Sequence, residues 1–278
     1  MSIEPEKAYK DLDFLNSPAA RHIRILCEYE EPRQRFLKQG VHHTIVFFGS
    51  ARTRSSEDAA SHLAAVQERV RQHPEDPALK RDLRRAEISV RMSSYYDGAR
   101  ELSRRLTAWS LDRSHGRRYV VSSGGGPGIM EAANRGAADV PGGTSVGLGI
   151  SLPFEQGVNQ YVTKELAFEF HYFFTRKYWF LYPCKGLVIF PGGFGTLDEL
   201  FETLTLVQTG KIKRRFPVIL FGNKDYWSKV INVEAMAEFG TISPEDLDLI
   251  HFTDDVTDAF DYLTSALVQA EEELSEAR

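Results

Sequence analysis

Five short apolar runs punctuate this 278-residue sequence: Thr44–Phe48, Tyr119–Ser122, Ser145–Ile150, Gly186–Phe190 and Pro217–Phe221. Each is rich in Val, Ile or Phe and bounded by turn residues, the pattern of strands buried on both faces. Stretches with helical periodicity lie between or after them, notably Ile129–Ala138, Tyr172–Leu181, Thr196–Thr209 and Val256–Glu273. Strands alternating with helices predict an α/β fold with a doubly wound, mostly parallel sheet. In such sheets ligands sit beyond the carboxyl ends of the strands, so functional residues are expected there.

The chain length is read as one domain, 1–278, with an N-terminal helical segment (1–40), a helical insertion (55–109) and an acidic C-terminal helical region (223–278). In the insertion Leu63, Val66 and Val70, then Leu79, Leu83 and Ala86, recur at near-helical spacing, and His73-Pro74-Glu75-Asp76-Pro77 interrupts them. This predicts a helical hairpin. From Arg52 to Arg113 the charge is 13 basic against 10 acidic, which fits a solvated or subunit-packing helix pair; an RNA-binding arm is the alternative. Residues 223–278 carry three basic and 14 acidic residues, a solvated terminal face.

Bulk properties exclude several classes. The net charge of −5 gives no global basic field, so no nucleic acid partner is expected. No apolar run approaches the ~18 residues of a membrane span, and the charged N-terminus lacks a signal-peptide core. Cys27 and Cys184 lie far apart, without zinc-ligand or disulfide-framework spacing. The expectation is a cytoplasmic protein with no metal and no cofactor.

Glycine is placed unevenly: 15 of the 21 fall between Gly116 and Gly195. One group, Ser123-Gly124-Gly125-Gly126, follows a strand, with a helix expected to begin near Pro127. Bare backbone there permits a tight turn or close approach of a ligand. A second group, Gly192, Gly193 and Gly195, separates a strand from a helix expected to start around Thr196. Free N–H groups and the dipole at such a helix start make an anion site, and Thr196 is read as a cap and phosphate donor. Neither loop is a P-loop or a spaced dinucleotide fingerprint.

Two further features stand beside these loops. Glu199 lies three residues past Thr196, where a carboxylate either complements the helix dipole or does chemistry near an anion. Arg176 and Lys177 interrupt the aromatic run Phe170-His-Tyr-Phe-Phe-Thr-Arg-Lys-Tyr-Trp-Phe, which reads as a buried helix whose rings are core or a dimer interface, and only secondarily a base-stacking surface. Buried cations need anionic partners; snorkelling to solvent is the alternative.

Together these residues resemble a known family. Pro191-Gly-Gly-Phe-Gly-Thr-Leu-Asp-Glu199 matches the motif PGGxGTxxE, and Arg176-Lys177 matches the Arg-Lys pair, of the LOG ("lonely guy") phosphoribohydrolases, long labelled possible lysine decarboxylases. Gly49-Ser50-Ala51-Arg52 and Ser123–Gly126 fit that family's other two ligand loops, so the likeness spans Thr44 to Phe221. The resemblance implies a Rossmann-like fold that hydrolyses the N-glycosidic bond of a purine nucleoside 5′-monophosphate, AMP or a cytokinin riboside 5′-monophosphate. It implies Gly192, Gly193, Gly195 and Thr196 as the phosphate site and Arg176 and Glu199 as the catalytic pair. Gly49, Ser50, Ser123, Gly124, Gly125, Gly126 and Lys177 would hold the nucleoside, and the protein would be a homo-oligomer, a dimer or larger.

Phe173 stands where short members often carry Met, GGGPGIM is one residue shorter than their loop, and the hairpin is an insertion, all features of the longer branch. Decarboxylation would need a Schiff-base lysine with an acidic pyridine partner, and nothing marks Lys177 or Lys185 for it. The rival reading is a non-catalytic nucleotide or molybdenum-cofactor carrier, which needs the glycine loops without the carboxylate.

Overall fold

The computed structural model of the chain describes residues 4–113, 118–152, 157–212 and 216–276; Gly116 of the glycine-rich window lies outside them. The described strands are β1 (His43–Phe48), β2 (Tyr119–Ser123), β3 (Ser145–Ile150), β4 (Ala167–Phe170), β5 (Cys184–Ile189), β6 (Val218–Phe221) and β7 (His251–Thr253). They form one sheet in the order β4-β3-β2-β1-β5-β6-β7, with every neighbouring pair parallel. The five expected strands are present to within two residues. β4 and β7 are edge strands too short to register as apolar runs.

The helices are α1 (Leu12–Asn16), α2 (Arg21–Lys38), α3 (Ser56–Gln72), α4 (Pro77–Asp112), α5 (Ile129–Ala138), α6 (Phe173–Leu181), α7 (Phe194–Gln208), α8 (Lys224–Val230), α9 (Val233–Glu238) and α10 (Val256–Glu276). Alternation along the strands divides them into two layers. Ile45 and Phe47 of β1 pack with Leu102 of α4, Ile129 of α5 and Leu263 of α10. Val46 and Phe48 face the other way, toward Phe36 of α2, Phe180 of α6, Leu200 of α7 and Trp227 of α8. The chain is therefore a doubly wound α/β fold, as expected. No described helix is long and apolar enough to cross a membrane.

The strand order reverses between β1 and β5, which opens a crevice at their carboxyl ends. The loops leaving both strands meet there, and the Ser50 N–H donates to the Pro191 carbonyl at 3.0 Å. The expected hairpin is α3 and the first half of α4. The Ser56 hydroxyl lies 3.0 Å from that of Ser93, while a Cβ at Gly98 would touch Phe221 at the end of β6. The 17 residues of α3 span about 25 Å, at 1.5 Å per residue. Its buried seam against α4 is Ala59, Val66, Leu79 and Ala86.

Three local expectations need correction. Helix α5 begins at Ile129, not near Pro127, because Gly128 at φ 71° must turn the chain first. A Cβ at Gly128 would lie 2.3 Å from the Ser50 carbonyl oxygen, so this glycine also lets the β1 loop seat against α5. Helix α7 begins at Phe194 with Gly193 in the cap position, so Thr196 is its third residue and does not cap it. Helix α6 is not buried all round: Phe173, Phe174 and Tyr182 are more than half exposed, and Thr175, Trp179 and Phe180 form its inner face.

Candidate active site

A cavity of about 580 Å³ occupies the crevice, within the range of small-molecule sites. Gly49, Ser50 and Arg52 after β1 and Gly124 and Gly126 after β2 line one part of it. Gly193, Gly195, Thr196 and Glu199 of the β5–α7 loop and α7 line another, with Asp198. Arg176 lines it as well, and Met130, Ile150, Leu152 and Phe173 add an apolar wall. Three separate glycine loops thus converge on one space.

At the α7 end, the N–H groups of Thr196 and Leu197 turn back to the Gly193 carbonyl at 3.0 and 3.1 Å. The first helical residues, Phe194 and Gly195, have no acceptor for their N–H groups within the helix. Gly193 and Gly195 are exposed, and a Cβ at either would meet nothing within 4 Å, so the main chain here is open to a ligand. A Cβ at Gly192 would lie 2.2 Å from the Thr196 hydroxyl oxygen, so that residue must be glycine for Thr196 to fold over the loop. Open N–H groups, the helix dipole and a hydroxyl suit this end to an anion.

Arg176 reaches the cavity from α6. Its Nε donates to the Leu148 carbonyl at 2.7 Å and its guanidinium lies over the Phe180 ring at 4.9 Å. A Cβ at position 124 would stand 2.7 Å from Nη2, so Gly124 makes room for the cation. The helix is oriented from a distance. Glu28 of α2 accepts the N–H groups of His171 at 2.8 Å and Tyr172 at 3.3 Å, and the Thr175 hydroxyl, while its carbonyl accepts Trp179 Nε1. This carboxylate caps α6 in place of a local side chain. Nothing in the sequence marks Glu28 for this, since its partners lie more than 140 residues away.

Glu199 is 4% exposed and its Oε2 has no hydrogen-bond partner among the described residues. Burial pushes its carboxyl up to about 7; Lys177 and Arg176 pull it down, while Glu202 and Asp198 add to the rise. A buried acid on the lining of a cavity, ionising near neutrality and with one oxygen unpartnered, is a feature of catalytic carboxylates. Lys177 is not on the cavity lining. Its Nζ lies 2.6 Å from Glu202, 2.9 Å from Asp198 and 4.0 Å from Glu199, so it compensates this acidic cluster from behind. Burial works against its charge, but the bonds to Asp198 and Glu202 prevail and its pKa rises.

Of the residues singled out from sequence, Gly49, Ser50, Gly124, Gly126, Arg176, Gly193, Gly195, Thr196 and Glu199 come together at the cavity. Ser123, Gly125 and Gly192 stand behind the lining and shape its loops. The Ser123 hydroxyl accepts the Gly125 N–H at 3.0 Å and donates to Asn134 at 2.7 Å. Asp198 and the apolar wall were not anticipated, although Asp198 lies inside the motif that drew attention to Glu199. Among the described residues no group of three or more His, Cys, Asp or Glu is arranged to hold a metal ion.

Residues 130–263 match the family model described as possible lysine decarboxylase. The chain is also 28% identical over 163 residues to cytokinin riboside 5′-monophosphate phosphoribohydrolase LOG3 of Arabidopsis thaliana, a match covering 57% of this chain and 69% of the relative.

Proposed function

We infer that the chain is a member of the LOG family, a reading its matches to the family model and to LOG3 support, and that it hydrolyses the N-glycosidic bond of purine nucleoside 5′-monophosphates. Its substrates are AMP, a cytokinin riboside 5′-monophosphate, or both; its products are the free base and ribose 5-phosphate. The observation that carries this reading is Glu199: a buried carboxylate with an unpartnered oxygen, one helical turn from an anion cradle and beside Arg176.

In this reading the 5′-phosphate sits on the loop from Gly192 to Thr196. The ribose lies against Glu199, and the base lies between the Gly124–Gly126 loop and the apolar wall. Departure of the base leaves positive charge on the ribosyl ring, as in glycoside hydrolysis. An ionised Glu199 in a water-poor site stabilises that charge, and it orients the water whose oxygen bonds to C1′ as the C1′–N bond breaks. The water proton ends on the departing base. Arg176 offsets the phosphate charge and keeps Glu199 ionised when the anion is present. A carrier would have no use for an acid that folding makes so costly to ionise.

The exposed aromatic residues of α6 and its C-cap support an oligomer: Phe173, Phe174, Tyr178 and Tyr182 are exposed, and Phe173 also lines the cavity.

Incubation with AMP and with isopentenyladenosine 5′-monophosphate, followed by chromatography, tests the reading. Free adenine or its N6-substituted form is expected. Absence of free base from every common nucleoside monophosphate would remove it.

A further inference from the structure

Resting on the reading above, we propose that Asn159, outside the cavity, is a positioning residue that fixes the nucleoside end of the site and so sets affinity for the base. The residue follows β3, in the connection to β4. Its backbone N–H donates to the Gly125 carbonyl at 2.6 Å. Its side-chain amide donates to the carbonyls of Gly125 at 3.0 Å and Gly126 at 3.1 Å, and to Asn134 Oδ1 at 2.9 Å. Its own Oδ1 accepts the Tyr161 N–H at 3.2 Å, which orients the amide so that its nitrogen faces the loop.

The anchor beneath it is rigid. Asn134 is wholly buried, and its Oδ1 also accepts the Ser123 hydroxyl. Asn134 Nδ2 donates to Ser145 Oγ at 3.1 Å and to the Val146 carbonyl at 3.2 Å. Two amides therefore tie together α5, the end of β2, β3 and the Gly124–Gly126 loop, with every polar group of Asn134 satisfied. The neighbouring Val158 closes the space over Gly125, which sits at φ 72° and whose Cβ would meet Val158 Cγ1 at 2.6 Å.

What this clamp holds is functional surface. Gly124 and Gly126 line the cavity, and Gly124 packs against both Met130 and the Arg176 guanidinium. The anion cradle is built from a different loop, between β5 and α7, that Asn159 does not touch. Loosening the clamp therefore frees the nucleoside end while leaving the phosphate end in place. A ligand with a base feels the change; ribose 5-phosphate, which has none, does not.

The test compares Asn159→Ala, Asn159→Ser and Asn159→Asp with the parent chain. KM and kcat are measured for AMP, and the inhibition constant is measured for ribose 5-phosphate. The AMP dissociation constant is measured by calorimetry in a Glu199→Gln background. Asn159→Ala is expected to raise KM and the AMP dissociation constant about tenfold or more, with kcat within threefold and ribose 5-phosphate inhibition within twofold. Asn159→Ser, which keeps one donor, should fall between. Asn159→Asp, whose carboxylate faces three oxygen acceptors, should be at least as severe as Ala.

AMP affinity unchanged in Asn159→Ala would overturn the proposal. So would parallel loss of kcat, AMP affinity and ribose 5-phosphate affinity, the mark of a merely structural role. If Asn159→Ala does not fold, the Ser variant decides on the same criteria. If the parent chain binds AMP but releases no base, the hydrolase reading fails while the dissociation constants still judge Asn159. If it binds neither ligand, both fail.

Discussion

At the scale of single residues, the site is organised around the charge state of Glu199. Its folded-state pKa of about 7 stands above the ordinary 4.5, with burial as the main cause. Between those values the folded chain holds a proton that the unfolded chain has released, so stability falls as pH rises from about 4.5 through 7. A shift of this size corresponds to a loss on the order of 3 kcal/mol above pH 7. Glu199→Gln removes that penalty. Thermal melts should show the variant more stable than the parent at pH 8, and the two alike at pH 4. Equal stability at both would mean that the carboxylate is not strained by burial. The same ionisation predicts turnover of the free protein rising with pH through about 7, since only the carboxylate stabilises a cation. In the proposed reading function is held at the expense of stability, the expected relation for a buried catalytic acid.

At the scale of elements, α6 carries Arg176 and Lys177 but does not cap its own N-terminus; α2 does so through Glu28. Replacing Glu28 by Ala leaves those N–H groups unpaired and is expected to cost about 1–2 kcal/mol by analogy with lost helix caps. Because the helix carries Arg176, which in the proposed reading offsets the phosphate charge, kcat should fall and ribose 5-phosphate binding should weaken with it. Denaturant melts and single-turnover assays check the two parts separately; an unaffected midpoint would contradict the capping role.

This scale also shows what a sequence reveals. The glycine loops were legible because bare backbone after a strand has few uses, and Glu199 because it follows one of them at fixed spacing. Helix starts were misplaced, since Gly128 and Gly193 act as caps without the side-chain oxygen that signals one. Glu28 and Asn159 were invisible: each acts through backbone partners that folding brings near, and local spacing carries no trace of such pairs. Lys177 was recognised as needing an anion, and its anions are side chains of α7, Asp198 beside Glu199 and Glu202 one turn after it. The outward aromatics of α6 left core and dimer interface as alternatives, because their periodicity is nearly continuous and exposure is decided by what packs above them.

At the scale of the whole molecule, the outer face of α6 and the cavity mouth are continuous, since Phe173 and Phe194 are exposed and also line the cavity. A second copy covering that face would border the site. Tyr178→Glu combined with Phe174→Arg should reduce the oligomer seen by analytical ultracentrifugation and lower base release in parallel. An unchanged assembly would remove α6 from the interface. The α3–α4 arm stands apart from this face in its construction. Its seam is internal, and the fold proper begins where α4 meets α5.

The central claim is hydrolysis at C1′ through Glu199, and isotope transfer tests it most directly. AMP is incubated with the protein in oxygen-18 water and the products are analysed by mass spectrometry. One labelled oxygen in ribose 5-phosphate, with equimolar unlabelled adenine and no product from Glu199→Gln, is the result predicted. Label in inorganic phosphate with intact adenosine, or undiminished turnover by Glu199→Gln, would contradict the account.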